Sequence, residues 1–461
     1  MRKITLAILA ITLSALLLPQ TAKSQVNFEF ESSFDNINQI DSISLFSAAF
    51  GYAHIGEKNY AGVRLNPELR LGKLGVGFDI PVYFNLDNGK MYTDEFKDGT
   101  GVLRMISYLS YGRKKKDPLY IKVGQLRGEH VGYGSLVNNY NNSMSFEKRK
   151  TGLSYDICIK KIVGIEGMYS DFDASSFNLF AIRPYVRPFG ASEIPVIKTL
   201  DMGFTYVTDK DKSKRYDESH DINHFLKDGM NAWSVDMGIT LVNSSVFNLG
   251  WYAHYSKLRK VESDSLKTYF AAPETLANYD SGTGMGIGLN ANMKIIGNLF
   301  KLNARIERLW YSDNYMPQFF DAMYELNKDA KIAQLGRAEK QEGIYGSLNA
   351  SILDKIIIGG NLLLPDDINE TSPAFMQLHL RTKDLFDKIL IEGSYSKGNL
   401  TKLDDAFKFD ENSLAVMRFA YKINPFLYTG VDYRWAWIEK EDGNYKIDNS
   451  VMPYVALRFN F

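Results

Sequence analysis

The stretch YAGVRLNPELRLGKLGVGFDIPVYF, residues 60–84, decides the fold class. In its first half, odd positions carry aliphatic side chains such as Val63, while even positions carry polar ones such as Arg64 and Glu68. After the tight link at Gly72, the alternation resumes with the apolar side chains at even positions. A period of two places successive side chains on opposite faces of a β-strand. The stretch therefore predicts a hairpin with one apolar face and one ionic face.

The same alternation recurs along the chain, in segments 153–159, 233–241, 300–306 and 376–380. Alternating runs of about ten residues suit strands that cross a lipid bilayer, whereas strands of soluble sandwiches are shorter, about 5 to 6 residues. No stretch after Leu18 has the roughly 20 apolar residues that a membrane helix needs. Strand length therefore favours an all-β, transmembrane, antiparallel up-and-down β-barrel.

The connections between strands fall into a short class and a long class. Short links are predicted near Gly72, Lys114, Lys160, Asn243, Ile296, Asp354, Phe386 and Asn424, with a longer one at 188–195. Long links are predicted at 85–100, 128–150, 209–230, 259–280, 311–341 and 399–411. Outer-membrane barrels have short periplasmic turns and long outer loops, which assigns both chain ends to the periplasm. The pattern gives about 20 strands, within a range of roughly 16 to 20.

The amino terminus has the pattern of a secretory signal peptide. Arg2 and Lys3 precede an apolar run that ends at Leu18, and small residues at Ala22 and Ser24 predict cleavage before residue 25. We therefore expect a signal peptide at 1–24, a periplasmic segment at 25–45 and the barrel at 46–461.

Cysteine content and charge exclude several classes. The single cysteine, Cys158, can form no disulfide within one chain and is too far from residue 24 to accept a lipid. The 54 basic and 54 acidic residues balance, so the net charge gives no indication of a nucleic-acid partner.

The carboxyl terminus places Val455, Leu457, Phe459 and Phe461 on one face of a final strand. This segment resembles the terminal strand of bacterial outer-membrane barrels, and the mature chain as a whole resembles porin-like barrels, with some similarity to those of the Bacteroidetes. The resemblance implies an exported, integral outer-membrane protein that contacts membrane lipid and lipopolysaccharide and is recognised by the assembly machinery through the strand ending in Phe461. An aromatic girdle where lipid meets water is expected at Tyr433, Trp435 and Trp437.

The ionic faces of the strands supply the candidate lining of a pore. Their charges have both signs, so they indicate no ion selectivity, and pairing across the lumen is an equally good interpretation. The candidate pore-lining residues are Arg64, Glu68, Arg70, Asp79, Arg305, Glu307, His379, Arg381, Asp432 and Arg434.

The link at 128–150 is the third long one, and in many porins the third outer loop folds inward. Its glycines allow sharp turns, and its amide and phenol groups suit contact with water and sugars. An ordinary exposed loop would have a similar composition. The candidate constriction residues are Tyr133, Asn138, Asn139, Tyr140 and Asn142. A second long link, at 316–340, has apolar spacing that predicts one or two helical turns facing the barrel mouth.

We expect a channel for small hydrophilic solutes, with the solute undetermined. The alternatives are a closed barrel that serves as scaffold or partner of a secretion or polysaccharide-export system and, third, an outer-membrane hydrolase. His220 and His224 lack the glutamate of a metal-hydrolase motif, and Gly134-Ser135 lacks a full nucleophile-elbow pattern. The chain is therefore expected to be no enzyme and to need no metal or cofactor.

Overall fold

A computed structural model gives the fold of most of the chain. The described residues are 45–55, 58–93, 101–142, 150–172, 177–210, 230–259, 281–295, 299–326, 328–382, 385–386, 388–439 and 445–460. The predicted signal peptide and periplasmic segment lie outside these residues, apart from Leu45, and so does Phe461. The first strand begins at Leu45.

The described residues form 21 strand segments. In chain order they are β1 Leu45–Ile55, β2 Lys58–Leu71, β3 Leu74–Phe78, β4 Ile80–Asn85, β5 Ile106–Tyr111, β6 Leu119–Gly124, β7 Gly152–Ile159, β8 Val163–Tyr169, β9 Phe177–Val186, β10 Asp201–Lys210, β11 Met230–Asn243, β12 Phe247–Arg259, β13 Ser281–Ile295, β14 Phe300–Tyr311, β15 Gln341–Ile352, β16 Ile356–Pro365, β17 Ala374–Thr382, β18 Ile389–Leu400, β19 Ser413–Lys422, β20 Leu427–Glu439 and β21 Tyr445–Asn460.

Antiparallel pairing closes these segments into a barrel. Each strand pairs with the next along the chain, except at β3 and β4, and β1 pairs with β21, where Gly51 lies opposite Tyr454. The segments β3 and β4 both pair with β2 and form one strand that is interrupted at Asp79. The barrel therefore has 20 strands, which confirms the predicted fold class and the upper end of the predicted strand number.

The short links lie at one end of the barrel and the long links at the other, as the sequence predicts. For example, the β2–β3 link at the short-loop end joins Leu71 to Leu74, whereas the β14–β15 link at the long-loop end joins Tyr311 to Gln341. Four further links lie at the long-loop end that were not among the predicted long links, namely β1–β2, β8–β9, β16–β17 and β20–β21.

The outer face of the barrel is apolar and exposed. Leu348 on β15 is 55% exposed, Ile306 on β14 is 58% exposed and Leu457 on β21 is 44% exposed. An apolar belt that extends around a closed antiparallel barrel is the lipid-facing surface of a membrane protein, because soluble proteins rarely expose so large an apolar area. Alternate residues on the same strands point inward and are mainly polar.

Helices are few in the described part of the chain. A single α-helix, α1 (Lys328–Arg337), lies between β14 and β15, and short 3-10 turns occur at Gly101–Met105, Ile197–Thr199 and Leu403–Asp405. None of the helices among the described residues combines the length and the apolar character required to span a bilayer.

Replacing Leu348 with arginine tests the lipid-facing belt. A charged side chain near the bilayer midplane costs about 2–4 kcal/mol, whereas the cost near the interface is about 0–1 kcal/mol. We expect Leu348→Arg to lower the free energy of unfolding in vesicles by about that larger amount. Leu353→Arg, at the β15–β16 turn, is the matched control and is expected to change it little. Equal losses from both variants would contradict the assignment of Leu348 to the lipid-facing belt.

Candidate functional site in the barrel interior

Two loops from the long-loop end fold into the barrel. The first inner loop comprises residues 125–142 between β6 and β7, and the second comprises 312–326 and 328–340 between β14 and β15. Leu126, Val137 and Phe320 on these loops are fully buried in one cluster with inward-facing wall residues such as Val207 and Leu309. Apolar side chains from the loops and the wall thus form a hydrophobic core inside the barrel.

The two inner loops are joined by backbone hydrogen bonds. Val137 and Phe320 form a parallel β-bridge, in which the Asn138 amide donates to the Phe320 carbonyl at 3.2 Å and the Phe320 amide donates to the Leu136 carbonyl at 3.0 Å. The Gln318 amide also donates to the Ser135 carbonyl at 3.0 Å. These bonds satisfy backbone groups that burial would otherwise leave without water, so the loops form one unit.

Tyr133 fixes the tip of the first inner loop to the wall. Its ring stacks on Tyr252 of β12 with centroids 5.0 Å apart, and Arg305 of β14 donates to its carbonyl at 2.7 Å. The wall makes room through Gly238, because a Cβ there would lie 2.1 Å from the Tyr133 hydroxyl. The same accommodation occurs on β13, where a Cβ at Gly284 would lie 2.1 Å from the Tyr315 ring.

Ion pairs hold the second inner loop. Lys328 pairs with Asp209 of β10 at 2.8 Å, and the Tyr324 hydroxyl donates to the same carboxylate at 2.8 Å. Glu325 pairs with Lys150 at 2.7 Å and accepts a short hydrogen bond from the Tyr140 hydroxyl. Burial alone would raise the pKa of Glu325, but Lys150 and Lys328 outweigh it and lower the pKa to about 2.

The wall behind the first inner loop carries a dense ionic network. Arg183 of β9 donates to Glu166 of β8 at 2.8 Å and to Asp201 of β10 at 2.6 Å, and also to Asp236 of β11. Its side chain is only 1% exposed. Such a fully surrounded guanidinium stiffens this part of the wall, because removing any one partner would leave a buried charge without compensation.

The five predicted constriction residues are all buried in the first inner loop. Asn138 donates to Gln318 at 2.8 Å and to the Tyr345 hydroxyl at 3.1 Å, so it connects both loops to the wall. Asn142 accepts from the Leu126 amide and donates to the Ser170 carbonyl, and therefore closes the base of the loop. Asn139 has a left-handed backbone with φ 53°, as a sharp turn requires. Tyr133 and Tyr140 have the contacts given above. Their role as a constriction stays a prediction.

The predicted pore-lining residues divide into two groups by environment. Arg305 and Glu307 pair at 2.6 Å beneath the first inner loop and are buried, and His379 is also buried, at 3% exposure. Asp79, between β3 and β4, is buried as well, at 4% exposure. The others occupy inner-face positions of β2, β17 and β20, by the strand register, and are Arg64, Glu68, Arg70, Arg381, Asp432 and Arg434.

The side of the lumen away from the packed loops keeps solvent-accessible charges. The side chain of Arg418 is 45% exposed and that of Glu392 is 36% exposed. Arg418 pairs with Asp432 at 2.7 Å, and Arg64 pairs with Asp79 at 2.6 Å. Arg127, near the start of the first inner loop, is exposed, whereas residues 125, 126 and 128 are buried.

Arg127 lies within electrostatic range of that accessible wall. The charged groups that act on its guanidinium include Glu392, Arg418, Asp79 and Arg64. Its side chain is exposed and donates to Gln125 at 2.9 Å, and the exposure together with the charges that act on it assigns it to the accessible side of the lumen. At the long-loop end of the same side, Tyr60 and Tyr92 meet edge to face with centroids 5.3 Å apart.

Sequence reasoning missed Arg127 and the full extent of the second inner loop. The predicted third loop started one residue after Arg127. A single charged residue before a glycine is not part of an alternating pattern, so the sequence did not mark it as lining the lumen. For the second loop, the apolar spacing at 316–340 predicts helical turns, and α1 is observed there. Packing of Phe319 and Phe320 against the first loop is a long-range contact, which local spacing does not encode.

Among the described residues, the contacts of the candidate catalytic residue Ser135 do not form a catalytic arrangement. The Ser135 hydroxyl bonds to the Ser234 hydroxyl at 2.9 Å, within the packed interior. His220 and His224 lie outside the described residues. Within the described part of the chain, no group of three or more potential metal ligands converges.

No protein-family model matches the chain, and no curated protein matches it in sequence. The chain is similar to solved structures at low sequence identity, including the following three. OccAB4 of Acinetobacter baumannii is 9% identical, with 92% of this chain and 99% of that chain covered and a TM-score of 0.33. OprD of Pseudomonas aeruginosa, an outer membrane protein, is 8% identical, with 92% and 95% covered and a TM-score of 0.34.

The third is Wzi of Escherichia coli, described as a carbohydrate-binding β-barrel of the outer membrane involved in capsule assembly. It is 9% identical, with 90% of this chain and 84% of that chain covered and a TM-score of 0.33. These likenesses are at the level of the barrel. The chain is a closed antiparallel β-barrel with a lipid-facing belt, and its functional argument rests on its own contacts and exposures.

Gly238→Ala tests how the wall accommodates the first inner loop. The new methyl group would overlap the Tyr133 hydroxyl, so we expect a loss of about 1–3 kcal/mol in the free energy of unfolding. Added Tyr133→Phe should recover part of that loss, since it removes the nearest of the clashing atoms. A double-mutant cycle of urea unfolding measures this coupling. Gly346→Ala is the control, because a Cβ there meets only the Arg305 carbonyl oxygen, at 3.9 Å. Additive effects of the two substitutions would contradict the contact.

Acid should weaken the attachment of the second inner loop. The pKa of Glu325 is lowered from 4.5 to about 2, so its stabilising effect is complete above pH 4.5 and is lost as the pH falls towards 2. A shift of this size corresponds to at most about 3 kcal/mol. We expect the difference in Tm between the wild type and Glu325→Gln to be largest at neutral pH and to shrink below pH 4.5. The exposed Glu339→Gln is the control. A difference in Tm that stays constant from neutral to low pH would refute this role of Glu325.

Proposed function

We propose that the protein is an outer-membrane channel for small hydrophilic solutes, and that the passage runs along one side of its lumen. The observation that supports this most directly is the difference between the two sides. On the packed side Arg183, Arg305 and Glu307 are at most 4% exposed, whereas Arg418 and Glu392 on the other side are about ten times more exposed. Solvent-accessible charges on an inner wall line a water-filled space.

In this proposal the first inner loop narrows the passage instead of closing it. Arg127 is the loop side chain that reaches the accessible side, and Arg64 and Arg418 face it from β2 and β19. A narrow zone lined by charges governs which ions pass, because a charged solute loses part of its hydration there. The buried Tyr133 and Asn138 hold the loop in place and lie outside the passage.

A closed barrel that serves as a scaffold is the second candidate, and one observation favours it. The second inner loop extends across the long-loop end, where Met323 packs against Leu414 of β19 and Gln334 donates to Asn399 at 3.1 Å. A loop that covers this end of the lumen would suit a closed barrel whose outer loops contact another envelope protein. Conductance separates the two candidates.

Substitution of Arg127 tests the passage. We expect Arg127→Ala to raise single-channel conductance in a planar bilayer on the order of twofold, because a long side chain leaves the narrow zone. Arg127→Glu should shift the reversal potential in a salt gradient towards cation selectivity. Lys116→Ala, in the β5–β6 turn at the opposite end of the barrel, is the matched control and should leave both values unchanged.

One outcome would refute the channel, and another would refute the assigned path of the passage. One is the absence of conductance from the wild type and from a variant that lacks residues 129–141, although both migrate as folded, heat-modifiable barrels. That result would favour the scaffold. The other is conductance that appears but does not respond to either Arg127 variant, which would place the passage elsewhere in the lumen.

A further inference from the structure

The loop between β18 and β19 lies on the outside of the barrel, unlike the two inner loops. The register places Tyr395 of β18, Ala415 of β19 and Trp435 of β20 side by side on the outer face. Phe409 of the loop contacts both rings, at 5.5 Å from the Tyr395 centroid and 5.5 Å from the Trp435 centroid. The small Ala415 between the two aromatic residues leaves space for the loop to lie across the strands.

Polar contacts fix this outer loop, residues 401–412, in position. The Tyr395 hydroxyl donates to the Ala406 carbonyl at 2.7 Å. Lys397, which is 2% exposed, pairs with Asp410 at 2.5 Å and donates to the Lys408 carbonyl at 2.9 Å. A lysine buried on the outer face of a membrane barrel is costly without such partners, so the loop and the strand stabilise each other.

The held loop presents large apolar side chains outward. Leu403 is 53% exposed and Phe407 is 70% exposed, although Phe407 also stacks on Tyr395 at 6.1 Å. They alternate with charged residues at Lys402, Asp404 and Lys408. Apolar groups next to charges on one fixed segment are typical of a surface placed where lipid meets water.

The position of the loop relative to the lipid-facing belt points to its partner. Directly along β19 from Ala415, the outer-face residues Met417 and Phe419 are 53% and 40% exposed and belong to that belt. At the same end of β14, the outer face changes from Ile306 to Arg308, whose ion pairs with Asp366 and Glu342 are solvent-exposed. The loop therefore continues the apolar belt at the level where charges begin.

We propose that the outer loop is a membrane-contact element that inserts Leu403 and Phe407 into the boundary between lipid headgroups and acyl chains of the leaflet at the long-loop end. The partner is the lipid surface itself. This inference depends on the outer face alone and holds whether the lumen conducts or is closed.

Quenching by brominated lipid tests the proposal on the full-length barrel. Cysteine is introduced as Phe407→Cys in a Cys158→Ser background, labelled with an environment-sensitive fluorophore and reconstituted into phosphatidylcholine vesicles with acyl chains brominated near the headgroup. We expect quenching of the label at roughly half or more of that seen for Met417→Cys in the belt. Glu370→Cys, in the β16–β17 link, is the exposed control and should show little quenching. Heat-modifiable migration confirms that each variant is folded.

A second labelled site, Leu403→Cys, covers the case in which the label at 407 disturbs its ring stack on Tyr395. Quenching at both sites no greater than at 370 would overturn the proposal. So would a change in emission that depends on the protein-to-lipid ratio but not on bromine, because that result would identify a second copy of the chain as the partner.

Discussion

The pairing of β1 with β21 is the constraint on which the rest of the structure depends. In a bilayer, backbone N–H and C=O groups have no water to bond, so an open sheet edge within the hydrocarbon is excluded. Eleven residues of β1 pair with β2 on one side, and residues 45–51 pair with β21 on the other. Closure at this seam fixes the number of strands, and the number of strands in turn fixes the width of the lumen.

A lumen of this width cannot be filled by wall side chains alone, since in barrels of about eight strands they just meet at the centre. The chain fills part of it with two loops, and charged side chains elsewhere on the wall stay accessible to solvent. The filled part has the features of a protein core: buried apolar side chains, a short β-bridge between the loops, and ion pairs with complete partners. Gly238 and Gly284 lie on the wall where Tyr133 and Tyr315 of the loops pack directly against the strand backbone, so a side chain at either position would clash.

The sequence predicts the wall of the barrel well and its interior poorly, for a physical reason. Alternation is a local property that lipid imposes on every strand, so residues 60–84 were enough to predict a hairpin that the register confirms. The burial of residues 125–142 depends on contacts across more than 150 positions, such as that between Asn138 and Gln318. No local period records such a contact. The composition of that loop would suit an exposed segment equally well. The position of Arg127 depends on which side of the lumen the loops fill, and the sequence does not encode this locally.

The unequal filling of the lumen determines what the protein can do. Loops that contacted every strand around the lumen could move outward only by breaking contacts on all of those strands. Here the first inner loop bonds to the wall between β5 and β15, through groups such as Glu166 and Arg305, while Glu392 of β18 and Arg418 of β19 stay accessible. In the proposed channel, loops packed against one part of the wall and accessible charges on another part would leave a passage that is narrower than the barrel and needs no moving part. The charges on its free wall are already paired, as in Arg418 with Asp432, so the shape of the passage is held by the same interactions that would meet a solute.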